Sequence, residues 1–225
     1  MRTCGWKQAG LMLVGLLAAP AVALGQACIG LPAGANQFAA SADIAFPEGA
    51  KTYGIGVGAN LIGPFTVEAS YTLTKPDGGN QNLNTFGADV AFELPLPGFS
   101  ACPVVGLSYS SYDETVPLQG GGSASGSISV ATIPIGFGVG ASLPLATTGA
   151  SLMPYAVPQL LYARTKVSFS TGGLSGSGTD SSTEFGAIIG ARLAWNRIFL
   201  GGDVNVTTVE NSDPVFSVGA GLIFP

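Results

Sequence analysis

Asp113 and Glu114 are the only two carboxylates adjacent in the chain. A carboxylate pair is the least equipment that general acid–base chemistry needs. On an extended segment, neighbouring side chains point to opposite sides, so this pair reads as solvated loop residues, and no catalytic residue is assigned. Histidine is absent altogether, which removes the commonest general base and leaves zinc without its usual nitrogen ligand. The acidic loops offer oxygen to calcium, but no spaced run of Asp and Asn builds a loop around it. Neither "GVGAN" nor "GAGLIF" leads into a Lys or a helix start, so neither cradles a phosphate. No metal and no cofactor is expected. A formal charge of -5 without any basic run excludes nucleic acid as a partner.

The elements that position these residues must be inferred from an unusual composition. The 225 residues are 47% hydrophobic and only 9% charged, with 34 glycines; an ordinary soluble chain is roughly 25% charged. Residues 1–25 read as a secretory signal peptide: Arg2 and Lys7, an apolar run from Ala9 to Ala23, then small residues that place cleavage before Gln26. The run is shorter than the roughly 20 residues of a spanning helix. Residues 26–225 form a single domain. Cys4 leaves with the signal. Cys28 and Cys102 remain in an oxidising compartment, where an even pair reads as a disulfide, the alternative being two free thiols.

The rest of the chain has period two. In "FTVEASYTLT" Phe65, Val67, Ala69, Tyr71 and Leu73 point one way, and Thr66, Glu68, Ser70, Thr72 and Thr74 the other. The same alternation, or a weaker form of it, gives strands at 38–46, 53–61, 86–94, 104–112, 135–143, 155–167, 185–195, 198–209 and 215–224. The expected fold is all-β: an antiparallel up-and-down transmembrane β-barrel of about ten strands, with eight as the alternative. Alternate connections support it. Residues 62–64 and 196–197 are tight turns, whereas 75–82, 113–127 and 170–182 are long, polar and low in complexity. An even strand count puts both termini, and with them Cys28 and Cys102, at the short-turn end.

In this register nine charged residues face the lumen: Asp43, Glu68, Asp89, Glu93, Arg164, Lys166, Glu184, Arg192 and Asp203. They are either a closed ion-pair network or the lining of a cation-leaning bore. Inward glycines make room either for water or for Tyr162, Arg164 and Arg192. Phe46, Tyr53, Phe65, Phe86, Tyr109, Trp195, Phe216 and Phe224 fall outside, as interface anchors.

The chain resembles the small outer-membrane β-barrel proteins of Gram-negative bacteria, of the OmpX and OmpW kind. The likeness is one of architecture over the whole mature chain, sharpened by its last strand. Ser217, Gly219, Leu222 and Phe224 fill the pattern polar, any, Gly, two of any, hydrophobic, any, aromatic, although Pro225 follows the aromatic. In that family the pattern is read by the barrel-assembly machinery. The resemblance therefore implies an outer-membrane location and, as partners, the surrounding lipid, periplasmic chaperones and the assembly machinery. An external ligand at the outer loops remains an open partner. Enzymes of this architecture use a histidine, which is missing here. The expected function is a non-enzymatic barrel that presents surface loops or acts as a narrow passive pore. The competing reading is a soluble exported β-sandwich or lipocalin-like binder of a small ligand, with aromatics inside and charges outside.

Overall fold

The computed structural model describes residues 27–225 apart from 35, 61–63, 78–81, 118–122, 146–148, 172–173 and 209–211. The expected signal peptide and its cleavage site lie outside the described residues. Ten antiparallel strands build the fold: β1 (Phe38–Phe46), β2 (Ala50–Asn60), β3 (Phe65–Pro76), β4 (Leu83–Phe92) and β5 (Phe99–Pro117), then β6 (Ser123–Gly140), β7 (Ala150–Thr171), β8 (Leu174–Trp195), β9 (Ile198–Thr207) and β10 (Val215–Phe224). Short arms at Leu94–Leu96 and Leu143–Leu145 prolong two hairpins.

Each strand pairs with its neighbours in sequence, and β10 pairs with β1 from Phe38↔Phe224 to Phe46↔Phe216. The sheet is therefore a closed barrel. Closure matters because an open edge leaves backbone N–H and C=O groups without partners. It also explains the apolar C-terminus: Phe224 is the register partner of Phe38, so the last strand is held along its whole length. A ten-stranded closed barrel replaces both the eight-stranded alternative and the sandwich.

The two faces separate cleanly. Phe38, Phe46, Tyr53, Phe65, Phe86, Tyr109, Trp195, Phe216 and Phe224 all point outward and are 42–60% exposed. They form two aromatic rings, one near each end of the apolar outer surface. Phe65 and Phe92 meet edge-on across β3 and β4, with centroids 5.0 Å apart. Opposite them, the inner face of the middle strands is made of Ser, Thr, Gly and acids, as the alternation requires.

The strands differ in length, and here the structure departs from the sequence expectation. Residues 113–117, 123–127 and 174–182 are strand, not loop. Pairing of β5 with β6 runs to Pro117↔Ser123, of β6 with β7 to Ala124↔Thr171, and of β7 with β8 to Leu174↔Thr171. By contrast β4 stops pairing with β5 at Asn84↔Ser111, and β9 with β8 at Gly186↔Thr207. A four-stranded blade thus rises above one side of the barrel. Ser, Gly and Thr have weak strand preferences, but a continuous ladder gives their backbone groups partners.

At the other end the turns are tight. Asn196, at φ 53°, makes the left-handed step of the two-residue turn between β8 and β9. Asn adopts this region more readily than other non-glycine residues. The start of β1 and the end of β10, paired at Phe38↔Phe224, lie at this end, called here the terminal end.

Candidate functional site

The interior has two layers: a charged girdle at mid-height and an apolar plug below it at the terminal end. In the girdle, Asp43 projects inward from β1, Glu68 from β3, Asp89 from β4, Arg192 from β8 and Asp203 from β9. Asp203 is the hub. Its Oδ1 accepts from Ser217 Oγ at 2.6 Å, and its Oδ2 accepts from Tyr155 OH at 3.2 Å and from Arg192 Nη2 at 3.4 Å. The Arg192 guanidinium also stands 5.9 Å from the centroid of the Tyr155 ring. On the facing wall Glu68 and Asp89 are register partners across β3 and β4. Like charges directly opposite each other are unfavourable. Among the described residues, neither acid has an ion-pair partner.

Bulky inward groups lie over glycines of adjacent strands. A Cβ at Gly106 would strike the Asp89 carboxylate, and one at Gly190 would lie 2.7 Å from the Tyr155 hydroxyl. The inward glycines therefore make room for side chains. Glu93 sits lower, just beyond β4, and accepts from Ser100 Oγ at 2.6 Å. Glu184 sits higher, on the inner face of β8, and accepts from Ser182 Oγ at 3.1 Å.

Two of the nine charged residues must be reassigned. Arg164 and Lys166 are on the outer face of β7, with Tyr162, and all three are exposed. The ladder between β7 and β8 runs unbroken from Ala150↔Trp195 to Thr171↔Leu174, so the phase is set by Met153 and Tyr155, both buried inside. Tyr162, Arg164 and Lys166 have the opposite parity. This leaves Arg192 as the only inward cation among the described residues, against seven acids on inner faces: Asp43, Glu68, Asp89, Glu93, Glu184, Asp203 and, higher in the blade, Asp180. A closed ion-pair network needs more cations than that.

The plug was not foreseen. A short 3-10 turn at Ala27–Ile29 is followed by an extended segment that folds up into the barrel. Cys28 and Ala33 are 0% exposed and Leu31 6%. Leu31 and Ala33 cluster with Ala39, Phe199 and Ile223 from β1, β9 and β10. Cys28 clusters with Ala91 and Cys102 from β4 and β5. Gly58 of β2 leaves space for Leu31, and Gly138 of β6 leaves space for the Cys28 carbonyl. Gly30, at φ 73°, lies against the Tyr155 ring of β7. Contacts with strands on all sides mean that the segment spans the bore. The Cys28–Cys102 disulfide fixes it to β5, with Cα atoms 5.9 Å apart. At its other end Gln37 bonds back to Gly34 and accepts from Asn60 N at 3.0 Å, immediately before β1 starts.

The residues of the C-terminal pattern have local roles in the barrel. Ser217 bonds Asp203, Gly219 lies beside Asp43, and Leu222 and Phe224 face outward.

No family model and no curated protein matches the chain. Solved structures do. The translocator domain of autotransporter NalP from Neisseria meningitidis matches with a TM-score of 0.52 at 9% identity, over 84% of this chain and 87% of that one. The outer membrane protease OmpT from Escherichia coli gives 0.46 at 10%, over 84% and 93%. The N-terminal β-barrel domain of Pseudomonas aeruginosa OprF gives 0.41 at 13%, over 85% and 99%. At such low identity the likeness is one of fold: the chain has the fold of the small outer-membrane β-barrels.

Proposed function

We propose that this chain is an integral, non-enzymatic protein of the outer membrane of a Gram-negative bacterium, closed by its own N-terminal segment and active through its outer blade. One observation carries the membrane reading. Among the described residues, every charge on the outer face of a strand lies at or beyond the upper aromatic ring: Lys51, Lys75, Asp113, Arg164 and Lys166. The surface between the two rings carries none. A water-soluble barrel would need charges there, whereas a lipid-facing band excludes them at about 2–4 kcal/mol for each Arg or Lys at mid-depth. β1 has 9 residues, near the roughly 9–11 that a tilted strand needs to cross.

In this reading the terminal end faces the periplasm, after signal-peptide cleavage and delivery by periplasmic chaperones to the assembly machinery. The blade stands outside the cell. β7 and β8 have 22 residues each, about twice what crossing requires, so roughly half of their length projects into water. The blade is asymmetric. Its inner face carries Ile128, Val167, Phe169 and Leu174, and its outer face Ser125, Ser127, Ser168 and Ser170. An external ligand would meet the protein here. The plug argues against a passive pore, and the lack of any histidine supports a role without catalysis.

The test uses Trp195, the only tryptophan left once the signal peptide is removed. The mature chain is diluted from urea into phospholipid vesicles. The expected result is heat-modifiable migration on a gel, with Trp195 fluorescence quenched by lipid brominated near the headgroup. Folding to a water-soluble monomer without lipid would overturn the reading.

A further inference from the structure

We infer that residues 28–34 are a gate, that the Cys28–Cys102 disulfide is its latch, and that the bore behind it is a cation path. This rests on the membrane-barrel reading above and goes beyond it, because that reading requires only that the bore be closed.

Four observations converge. The segment enters the barrel from one end of β1 and joins the wall covalently at only two places, the peptide bond into Phe38 and the disulfide to Cys102. In the mature chain of the reading above, cleaved before Gln26, cutting the disulfide leaves it a free N-terminal arm. The turn that swings it inward has Asn36 at φ 58°, between Gly34 and β1, where an arm could pivot. The wall it covers is imperfectly satisfied. Asn60 Oδ1 and Thr66 Oγ1 are buried without a hydrogen-bond partner, in residues 7% and 0% exposed. Asn60 is two positions below Gly58, which holds Leu31. With the segment withdrawn, water would reach both atoms. Finally, the layer uncovered is not an apolar core. It is the girdle, where Asp43, Glu68 and Asp89 lack ion-pair partners among the described residues and Arg192 is committed to Asp203. A ring of unpaired carboxylates favours cations.

Opening the latch is a two-electron step. A dithiol attacks the Cys28–Cys102 bond as a thiolate, passes through a mixed disulfide and closes on itself. Its two electrons and two protons leave Cys28 and Cys102 as thiols.

The experiment is conductance of the folded mature protein in a planar bilayer, with folding checked by heat-modifiable migration of the same sample. The oxidised protein is expected to be silent. Dithiothreitol on the terminal-end side should produce stepwise openings, with free thiols confirmed by alkylation and mass. Both sulfurs are fully buried, so Cys28→Ser provides the same cut without relying on access and should open in either redox state. In that background the open state should prefer cations over anions several-fold. Glu68→Gln with Asp89→Asn should bring the preference towards unity. Folded Cys28→Ser that stays as silent as the oxidised parent would overturn the proposal, as would openings without cation preference. An oxidised parent that already conducts would overturn the closed bore itself, while leaving the heat-modifiable membrane barrel standing.

Discussion

The Tyr155 hydroxyl reaches over β8 to donate to Asp203 Oδ2 on β9, at 3.2 Å. β7 and β9 are not neighbours, so this bond joins strands that the backbone ladder leaves apart. It also joins the two interior layers, because the same Tyr155 ring lies against Gly30 of the plug. The contact is possible because β8 carries no side chain at Gly190.

Two substitutions separate the bond from the space it uses. Tyr155→Phe should destabilise the barrel by about 1 kcal/mol, the usual net value of one hydrogen bond. Gly190→Val should cost more, about 1–3 kcal/mol, because the added carbons meet both Tyr155 and Asp203. Equilibrium unfolding in urea, from vesicles, measures both. Equal and negligible effects would mean that the Tyr155–Asp203 link contributes nothing.

The orientation of β7 gives a sharper test, because it reverses the sequence expectation. Arg164 lies on the outer face at the level of the upper aromatic ring, so Arg164→Leu should change stability by less than about 0.5 kcal/mol. Val218, on β10, is 56% exposed within the lipid-facing band. Val218→Arg should cost about 2–4 kcal/mol if it lies near mid-depth. A large loss on Arg164→Leu would instead return that side chain to the lumen.

Why the phase of β7 misled is instructive. Both of its faces are apolar between the two ends of the membrane-spanning part: Tyr155, Val157 and Leu161 inward, Leu160 and Tyr162 outward. The inner face is apolar there because Tyr155 meets the plug, and alternation is informative only where the two faces differ. β1 and β10, polar inside and aromatic outside, were legible to the residue at both ends. The blade was hidden for a different reason. Its Ser, Gly and Thr runs are held by ladder hydrogen bonds, which no side-chain pattern announces. The plug was hidden because "CIGLPAGANQ" has the composition of a linker. Its one readable signal was Cys28, a cysteine destined for a disulfide just ahead of the first strand. Asp43, Glu68, Asp89, Glu93, Glu184, Arg192 and Asp203 alternate with the outward side chains of their strands, but alternation does not give their partners, because pairing across the bore depends on strand stagger.

The plug has its own stability signature. Leu31 is almost fully buried against Ala33, Ala39, Phe199 and Ile223. Leu31→Ala should cost the plug's docking about 2–5 kcal/mol, while the barrel, whose strands close without it, stays folded. Amide hydrogen exchange reads the difference. Residues 28–34 should lose protection, and β1 and β10 should keep theirs. Loss of protection throughout would mean that the segment is part of the barrel's folding core.

Among the described residues, the outer rim contains a pH-dependent contact outside the membrane-spanning part. Glu48, in the turn between β1 and β2, shares a hydrogen bond with Asp213, just before β10, and this together with the repulsion between the two carboxylates raises the Glu48 pKa above its ordinary 4.5. A shared bond between two carboxyl groups needs one proton. The sign follows: a group whose folded pKa is raised contributes stability that is complete below its unfolded pKa and is lost as the pH climbs through the folded value. The rim should therefore be closed in acid, below about 4.5, and should loosen as Glu48 ionises, when two carboxylates face each other in water. The carboxyl carbon shift of Glu48, followed by NMR from pH 3 to pH 8, should titrate above the ordinary value. Glu48→Gln keeps a hydrogen-bond donor at all pH values, and should abolish the transition while holding the turn closed above the range where the parent opens. Titration of Glu48 at its ordinary value would show that the two side chains do not meet.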